Sequence, residues 1–388
     1  MNQKIIIKQF LPVMFGFFIM GFVDVVGIAS NYIKQDFMLS DTSANLLLMM
    51  VFVWFVLFSI PTGVLMGKIG RKKTVLLCIL ITAAALFVPV ISYNLVTVLV
   101  ALSLLGIGNT MLQVSLNPLL SDIVPDSKLA SSMTFGQFVK SISSFIGPVI
   151  AGGAALYLGN WRYLFPLFGG ISILAAVWLS AVKVTEPSFD GKKGSFSDSI
   201  RLLGDRTILG LFIGILLVVG IDVGLNVSIP KLLMLKTNMP LTEAGLGSSL
   251  YFAAKTAGAF IGAVILVRIS ASRFYTVTVV LALISLAFTL LIQSTSGVYI
   301  GIFLLGLTVS NIFSIIFFKA LLHKPAFRNE ISGLMMMGII GGALVPLEIG
   351  IVTDSLGLTS GMLVLGVCMI YLLANSLWNR RDAIVPVH

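Results

Sequence analysis

Charge is scarce in this chain: only 10% of its 388 residues are Asp, Glu, Lys or Arg, against 58% apolar residues and a mean hydropathy of +1.07. Soluble domains carry about a quarter charged residues, so that class is excluded and an integral membrane protein is expected. Cysteine and histidine are nearly absent. Cys78 and Cys368 lie in apolar runs, and His323 and His388 lie in a loop and at the end of the chain. These four cannot build a zinc, haem or iron–sulfur site or a disulfide framework, so no cofactor is expected. No Ser/His/Asp set and no phosphate-binding glycine loop occurs in the sequence, and no polar stretch is long enough for a catalytic domain. An enzyme is therefore not expected.

What is present is a succession of long apolar runs. Each span needs roughly 20 residues to cross the hydrocarbon core. Charges, Gly/Pro clusters and short polar stretches divide the chain into twelve spans, near 9–33, 43–67, 74–93, 95–120, 129–156, 161–182, 207–230, 243–267, 275–293, 298–320, 331–353 and 360–378. The apolar stretch after Lys8 outruns the roughly 7–15 residues of a signal-peptide core, so it is expected to remain as the first span. The net charge of +10 is not a nucleic-acid footprint, because its distribution follows topology. With a cytoplasmic N-terminus, 19 of the 25 Lys and Arg fall on the inner side. Only Lys34, Arg162, Lys231 and Lys236 fall outside, while Lys140 and Lys255 lie within spans. Both termini are therefore expected in the cytoplasm.

The fold class expected is an all-α integral membrane protein, with twelve transmembrane helices in two six-helix halves. The halves are 1–182 and 207–388, joined by a cytoplasmic linker at 183–206. Residues 196–203 of the linker have the pattern of a short amphipathic helix on the inner membrane surface. The halves resemble each other at an offset of 198 residues: Asp24 maps onto Asp222, Pro148 onto Pro346 and Gly152 onto Gly350. Duplicated halves are characteristic of alternating-access transporters, in which the substrate site lies between repeats near the midplane.

A charge near the bilayer centre costs several kcal/mol unless paired or hydrated. Asp24, Lys140, Asp222 and Lys255 all fall near the middle of their spans. Asp24 and Lys140 read either as a paired ion-coupling site or as a permanent salt bridge between the first and fifth spans. Asp222 and Lys255, with Asn226 one turn from the acid and Tyr251 one turn before the lysine, read as a substrate anchor or as a packing pair. Asn109, Gln113 and Asn117 recur every fourth residue on the fourth span, and Gln137, Lys140 and Ser144 form a second polar stripe on the fifth. Amides suit a sugar because they offer donor and acceptor together, but they also join membrane helices without any ligand. Asn311, flanked by Thr308 and Ser314, is a further candidate for substrate contact. Lys319 and Arg268 lie near inner span ends, where snorkelling would explain them.

The second span ends Gly63-Val-Leu-Met-Gly67-Lys68-Ile-Gly70-Arg71-Lys72-Lys73, which resembles the Gly-x-Leu-x-Asp-Arg-x-Gly-Arg-Arg signature of the major facilitator superfamily, with Gly67 in place of its Asp. Within that superfamily, Pro61-Thr62-Gly63, the run from Gly106 to Pro118, and Gln137-Phe-Val-Lys140-Ser141 resemble the fucose/galactose/glucose:proton symporters. The resemblance implies the superfamily's twelve-helix fold and proton-coupled uptake of a small sugar at a bacterial cytoplasmic (inner) membrane. That family's carboxylates in the first and fourth helices correspond here to Gly27 and Gln113, which carry no proton, so the coupling role would pass to Asp24. Sodium is the alternative coupling ion. A small organic anion or acidic sugar, drawn by Lys140 and Lys255, is the alternative substrate, and multidrug efflux a further one. The partners expected are a small-molecule substrate and the lipid bilayer, with no nucleic acid and no second subunit.

Overall fold

A span that is apolar on every side must satisfy its backbone polar groups internally where no water is at hand. The computed structural model, described over residues 3–39, 41–184, 186, 196–239 and 246–378, does so with helices, and no strand occurs among the described residues. Among the described residues, twelve helical spans are long and apolar enough to cross a membrane. The first comprises α1 (Gln3–Met20), a 3₁₀ turn (Gly21–Val25) and α2 (Val26–Asp36). It is followed by α3 (Asp41–Ile69), α4 (Arg71–Ile91), α5 (Leu95–Ile123), α6 (Asp126–Leu158) and, after a 3₁₀ turn at Trp161–Tyr163, α7 (Leu164–Ala181). The linker forms the short helix α8 (Phe196–Arg201), whose Ser199 is buried. Spans seven to nine are α9 (Arg206–Thr237), α10 (Leu246–Ile265) and α11 (Ala271–Leu291). The tenth is α12 (Thr295–Val309) and α13 (Ile312–His323), interrupted at Ser310 and Asn311. The eleventh is α14 (Arg328–Met337), a 3₁₀ turn (Gly338–Ile340) and α15 (Gly341–Leu356), and the twelfth is α16 (Leu358–Trp378).

Local chemistry sets the ends of these helices. Asn94 and Thr97 form a reciprocal capping box that starts α5, and Asp205 accepts from the Thr207 and Ile208 N–H groups to start α9. Gly159 closes α6 in the left-handed region at φ +68°, a conformation without cost for glycine. Sequence spacing ends the seventh span near residue 230, yet α9 continues to Thr237. The reason lies across the bundle: Lys236 Nζ donates to the carbonyls of Thr289 (3.1 Å), Leu290 (2.7 Å) and Ile292 (2.5 Å), the open carbonyl end of α11. Lys319 also departs from expectation. It is buried and meets the Ser272 hydroxyl instead of snorkelling to water.

The chain forms two compact units. The first comprises Met1–Asp126, Val139–Arg201 and Pro325–Met337; the second comprises Ser127–Phe138, Leu202–Lys324 and Gly338–His388. Thus α14, although late in sequence, packs within the first unit. There Ser332 Oγ donates to the Val114 carbonyl, and Arg71 Nε donates to Asn329 Oδ1 at 2.8 Å. In the second unit, the early turns of α6 pack on α10 through Ser131 Oγ, which donates to the Ala263 carbonyl at 2.6 Å, and through the rings of Phe138 and Phe260.

Candidate functional site

The first unit builds a charged cluster where its first span is broken. Gly21 opens the 3₁₀ turn, and a Cβ there would lie 2.6 Å from the Lys140 carbonyl and 2.7 Å from Ser143 Cβ. Only a residue without a side chain lets the first span approach α6 this closely. That approach places Asp24, three residues on, beside the next turn of α6. Ser144 Oγ donates to Asp24 Oδ2 at 2.5 Å, and Lys140 Nζ lies 3.9 Å from the same oxygen. The pair is loose and open, the Asp24 side chain being 43% exposed and that of Lys140 22%. Gln137 is half-buried one turn earlier on α6, in the stretch belonging to the second unit.

The same break draws in the amides of α5. Asn109 Nδ2 donates to the Met20 carbonyl at 2.7 Å, where α1 tightens into the 3₁₀ turn. Gln113 Nε2 then donates to Asn109 Oδ1 at 2.7 Å, and Asn117 Nδ2 points at the Gln113 carbonyl at 3.5 Å. All three side chains are buried, and Asn117 Oδ1 has no hydrogen-bond partner. The predicted stripe is therefore a continuous polar ladder leading from the Asp24 turn along α5.

The second unit holds a tighter cluster. Asp222 accepts from Lys255 Nζ at 2.5 Å through Oδ2 and from Tyr251 Oη at 2.7 Å through Oδ1, so both carboxylate oxygens are engaged. Tyr251 is fully buried, while the Asp222 and Lys255 side chains are each 27% exposed. Asn226 lies half-buried one turn beyond Asp222, and its carbonyl accepts from Ser248 Oγ at 3.2 Å. Asn311 sits at the break in the tenth span, donating to the Gly258 carbonyl (2.9 Å) and to Ser310 Oγ (2.8 Å), with its own Oδ1 buried and unpartnered. The duplication therefore repeats the acid but not its base: Asp24 pairs with the fifth span, Asp222 with the eighth. Moreover, the first span is broken at its acid, whereas α9 runs unbroken through Asp222.

Sequence spacing gives no sign of one cluster at the basic end of the first unit. Arg71 reads as one of several basic anchors, yet it is buried and ion-paired with Asp122. Glu186 of the linker accepts from the Arg71 and Lys72 N–H groups at 2.6 and 2.8 Å, capping α4, while Lys72 Nζ donates to the Ser180 and Val182 carbonyls at the end of α7. The available signal was Asp122, a lone acid at the end of an apolar span. At Gly67, where the superfamily signature carries Asp, the space a Cβ would enter is open.

Residues 13–338 match the Major Facilitator Superfamily. The chain belongs to that family. It is a multi-pass membrane transporter rather than an enzyme. Among similar proteins, the glucose/galactose transporter of Brucella abortus biovar 1 (strain 9-941) is 27% identical over 380 residues, covering 92% of this chain and 90% of its own length. A Helicobacter pylori (strain J99) homologue is 26% identical, with coverage of 94% and 95%. Two structures of FucP, the Escherichia coli fucose:proton symporter, superpose with TM-scores of 0.86 and 0.84 at 19% and 18% identity, over 97% of this chain and 100% of FucP. This structural likeness establishes the superfamily fold.

Proposed function

We propose that this superfamily member takes up a small neutral sugar of the hexose class by alternating access at a bacterial inner membrane, coupled to a proton, as a monomer with both termini cytoplasmic. The observation that carries the reading is the self-neutralised character of the two mid-span clusters. Each lysine already has an aspartate within 4 Å and each aspartate a hydroxyl donor, Ser144 or Tyr251. A site with no net charge but many donors and acceptors suits a polyhydroxylated, uncharged ligand better than an organic anion, which would need a free ammonium. The glucose/galactose transport named for the Brucella relative and the fucose:proton symport named for FucP support the same reading.

In this reading Asp24 and Lys140 form the ion-coupling pair. Protonating Asp24 weakens its acceptance from Ser144 and Lys140, and hydroxyls of the sugar accept from those donors in its place. Asn109, Gln113, Asn117, Gln137 and Lys140 supply substrate contacts from the first half, and Asp222, Asn226, Tyr251, Lys255 and Asn311 from the second. The test is counterflow of labelled hexoses in proteoliposomes, with and without an imposed pH gradient. Neutral hexoses should exchange, a pH gradient should drive their accumulation, and Asp24→Asn should keep exchange while losing accumulation. Competition by uronic acids but not by neutral hexoses would overturn the substrate class. Accumulation that follows a sodium gradient instead would overturn the proton.

A further inference from the structure

Away from the mid-span clusters, the first unit carries a cavity of about 440 Å³ at the shared ends of α2, α6 and the turns before α5 and α7. That volume is within the roughly 300–1,000 Å³ typical of small-molecule sites. Its walls are aromatic: Tyr32 stacks on Trp161 with ring centroids 5.0 Å apart, and Tyr93 meets Trp161 edge to face at 6.4 Å. Its polar groups are held in place by one another. Asp36 Oδ2 accepts from Tyr93 Oη at 2.6 Å and from Trp161 Nε1 at 3.0 Å, and Asn160 Oδ1 accepts from Arg162 Nε at 3.0 Å, with the guanidinium 4.4 Å above the Tyr93 ring. Burial and the bond to Asp36 hold the Tyr93 phenol above its ordinary range, so it remains a donor at neutral pH.

This arrangement leaves a defined set of groups unengaged among the described residues: Asp36 Oδ1, the Arg162 Nη atoms, Asn160 Nδ2 and Tyr32 Oη. One carboxylate oxygen, one planar donor fork, one amide and one phenol line an aromatic-walled cavity. Asp36 and Arg162 cancel in charge, so neither a free anion nor a free cation is favoured. Among the described lining residues only Ala155 is aliphatic, so the cavity itself offers rings and polar groups. We infer that this cavity is a second, peripheral carbohydrate site, taking a neutral mono- or disaccharide whose vicinal hydroxyls bridge Asp36 and Arg162 beside the Tyr32 and Trp161 rings. In the orientation proposed above it opens on the outer face, where a sugar would arrive. It depends on that orientation for its role and not on the mid-span clusters for its existence.

The test uses the full-length protein with Trp54, Trp178 and Trp378 replaced by Phe, so that Trp161 alone reports, titrated with glucose, galactose, lactose and phosphoethanolamine. The expected result is a saturable change in Trp161 emission with one or more neutral sugars, weakened about tenfold by Arg162→Ala and by Asp36→Asn, each of which removes a charged hydrogen-bonding group. Tyr32→Phe keeps the ring stack and the fold, and should weaken binding by a smaller factor. No saturable response to any sugar, or a response to phosphoethanolamine alone, would overturn the proposal. The same titration in an Asp24→Asn, Lys140→Met background separates this site from the mid-span clusters. A retained Trp161 response supports the peripheral site whatever happens to transport, and its loss assigns the signal to the mid-span clusters and overturns the proposal.

Discussion

The two acid–lysine pairs have the same chemistry and different geometry, so double-mutant cycles on both should give different coupling energies. At an effective dielectric of about 20 the gross attraction between unit charges is roughly 6–7 kcal/mol at the 2.5 Å of Asp222–Lys255 and about 4 kcal/mol at the 3.9 Å of Asp24–Lys140. Desolvation cancels most of both. What survives depends on shielding and on secondary donors. Asp222 is 27% exposed with its second oxygen bound by buried Tyr251, whereas Asp24 is 43% exposed. We expect a net coupling of roughly 1.5–2 kcal/mol for Asp222–Lys255, between the exposed and fully buried limits, and below about 0.5 kcal/mol for Asp24–Lys140. Lys255→Met alone, which leaves Asp222 charged beside a single hydroxyl, should cost about 2–3 kcal/mol. Adding Asp222→Asn should recover part of that loss. The assay is reversible SDS-induced unfolding in mixed micelles, followed by tryptophan fluorescence, on each single and double variant. Additive effects at Asp222 and Lys255, or a coupling at Asp24 and Lys140 equal to or larger than theirs, would refute the reasoning.

Three further outcomes follow from other parts of the structure. Gly21→Ala should destabilise by about 1–3 kcal/mol in the same unfolding assay, because its methyl group would overlap the Lys140 carbonyl and Ser143, and it should depress transport by displacing Asp24 from Ser144. Arg71→Lys should cost about 1–3 kcal/mol despite keeping the charge, since an ammonium cannot serve Asp122 and Asn329 together through a planar fork; a thermal unfolding profile indistinguishable from wild type would contradict this. Asp205 gives a pH prediction. Burial alone would raise its pKa, but hydrogen bonds from Lys324, the Ile208 N–H and His323 hold the carboxylate well below its ordinary range. A depressed native pKa means that the stabilisation is full above the unfolded value near pH 4 and is lost as pH falls further toward the native value. Asp205→Asn should therefore lower the melting temperature most near neutral pH, with the gap from wild type shrinking below about pH 4. A gap that widens on acidification would reverse the assignment.

The spans were legible because hydropathy reports on solvent, and solvent sets helix length independently of how helices pack. Asp24, Lys140, Asp222 and Lys255 were legible for the related reason that a charge in an apolar run demands a partner. The pairings of Asp24 with Lys140 and of Asp222 with Lys255 were legible as well, since each apolar half offers its acid one mid-span lysine. Their geometry was not: the repeat at an offset of 198 predicts two equivalent pairs, and nothing in that spacing makes one loose and open at 3.9 Å and the other tight at 2.5 Å with a buried tyrosine on its second oxygen. The breaks at Gly21–Val25, at Ser310 and Asn311, and at Gly338–Ile340 were equally hidden, because a glycine or asparagine within an apolar run is compatible with a continuous helix until a neighbour approaches closely enough to use it.

Composition and periodicity by themselves determined that this is a twelve-span membrane protein with duplicated halves and a few mid-span charges. Tertiary structure alone decided that Arg71 is a buried ion-pair partner of Asp122 rather than a surface anchor, that Lys236 extends its helix by binding the carbonyls of another, and that Tyr32, Asp36, Tyr93 and Arg162 converge around Trp161. The physical reason is the same in each case. Burial in an apolar medium is an average over many residues and can be read along the chain, whereas hydrogen bonds and ion pairs act over about 3 Å between residues brought together only by folding.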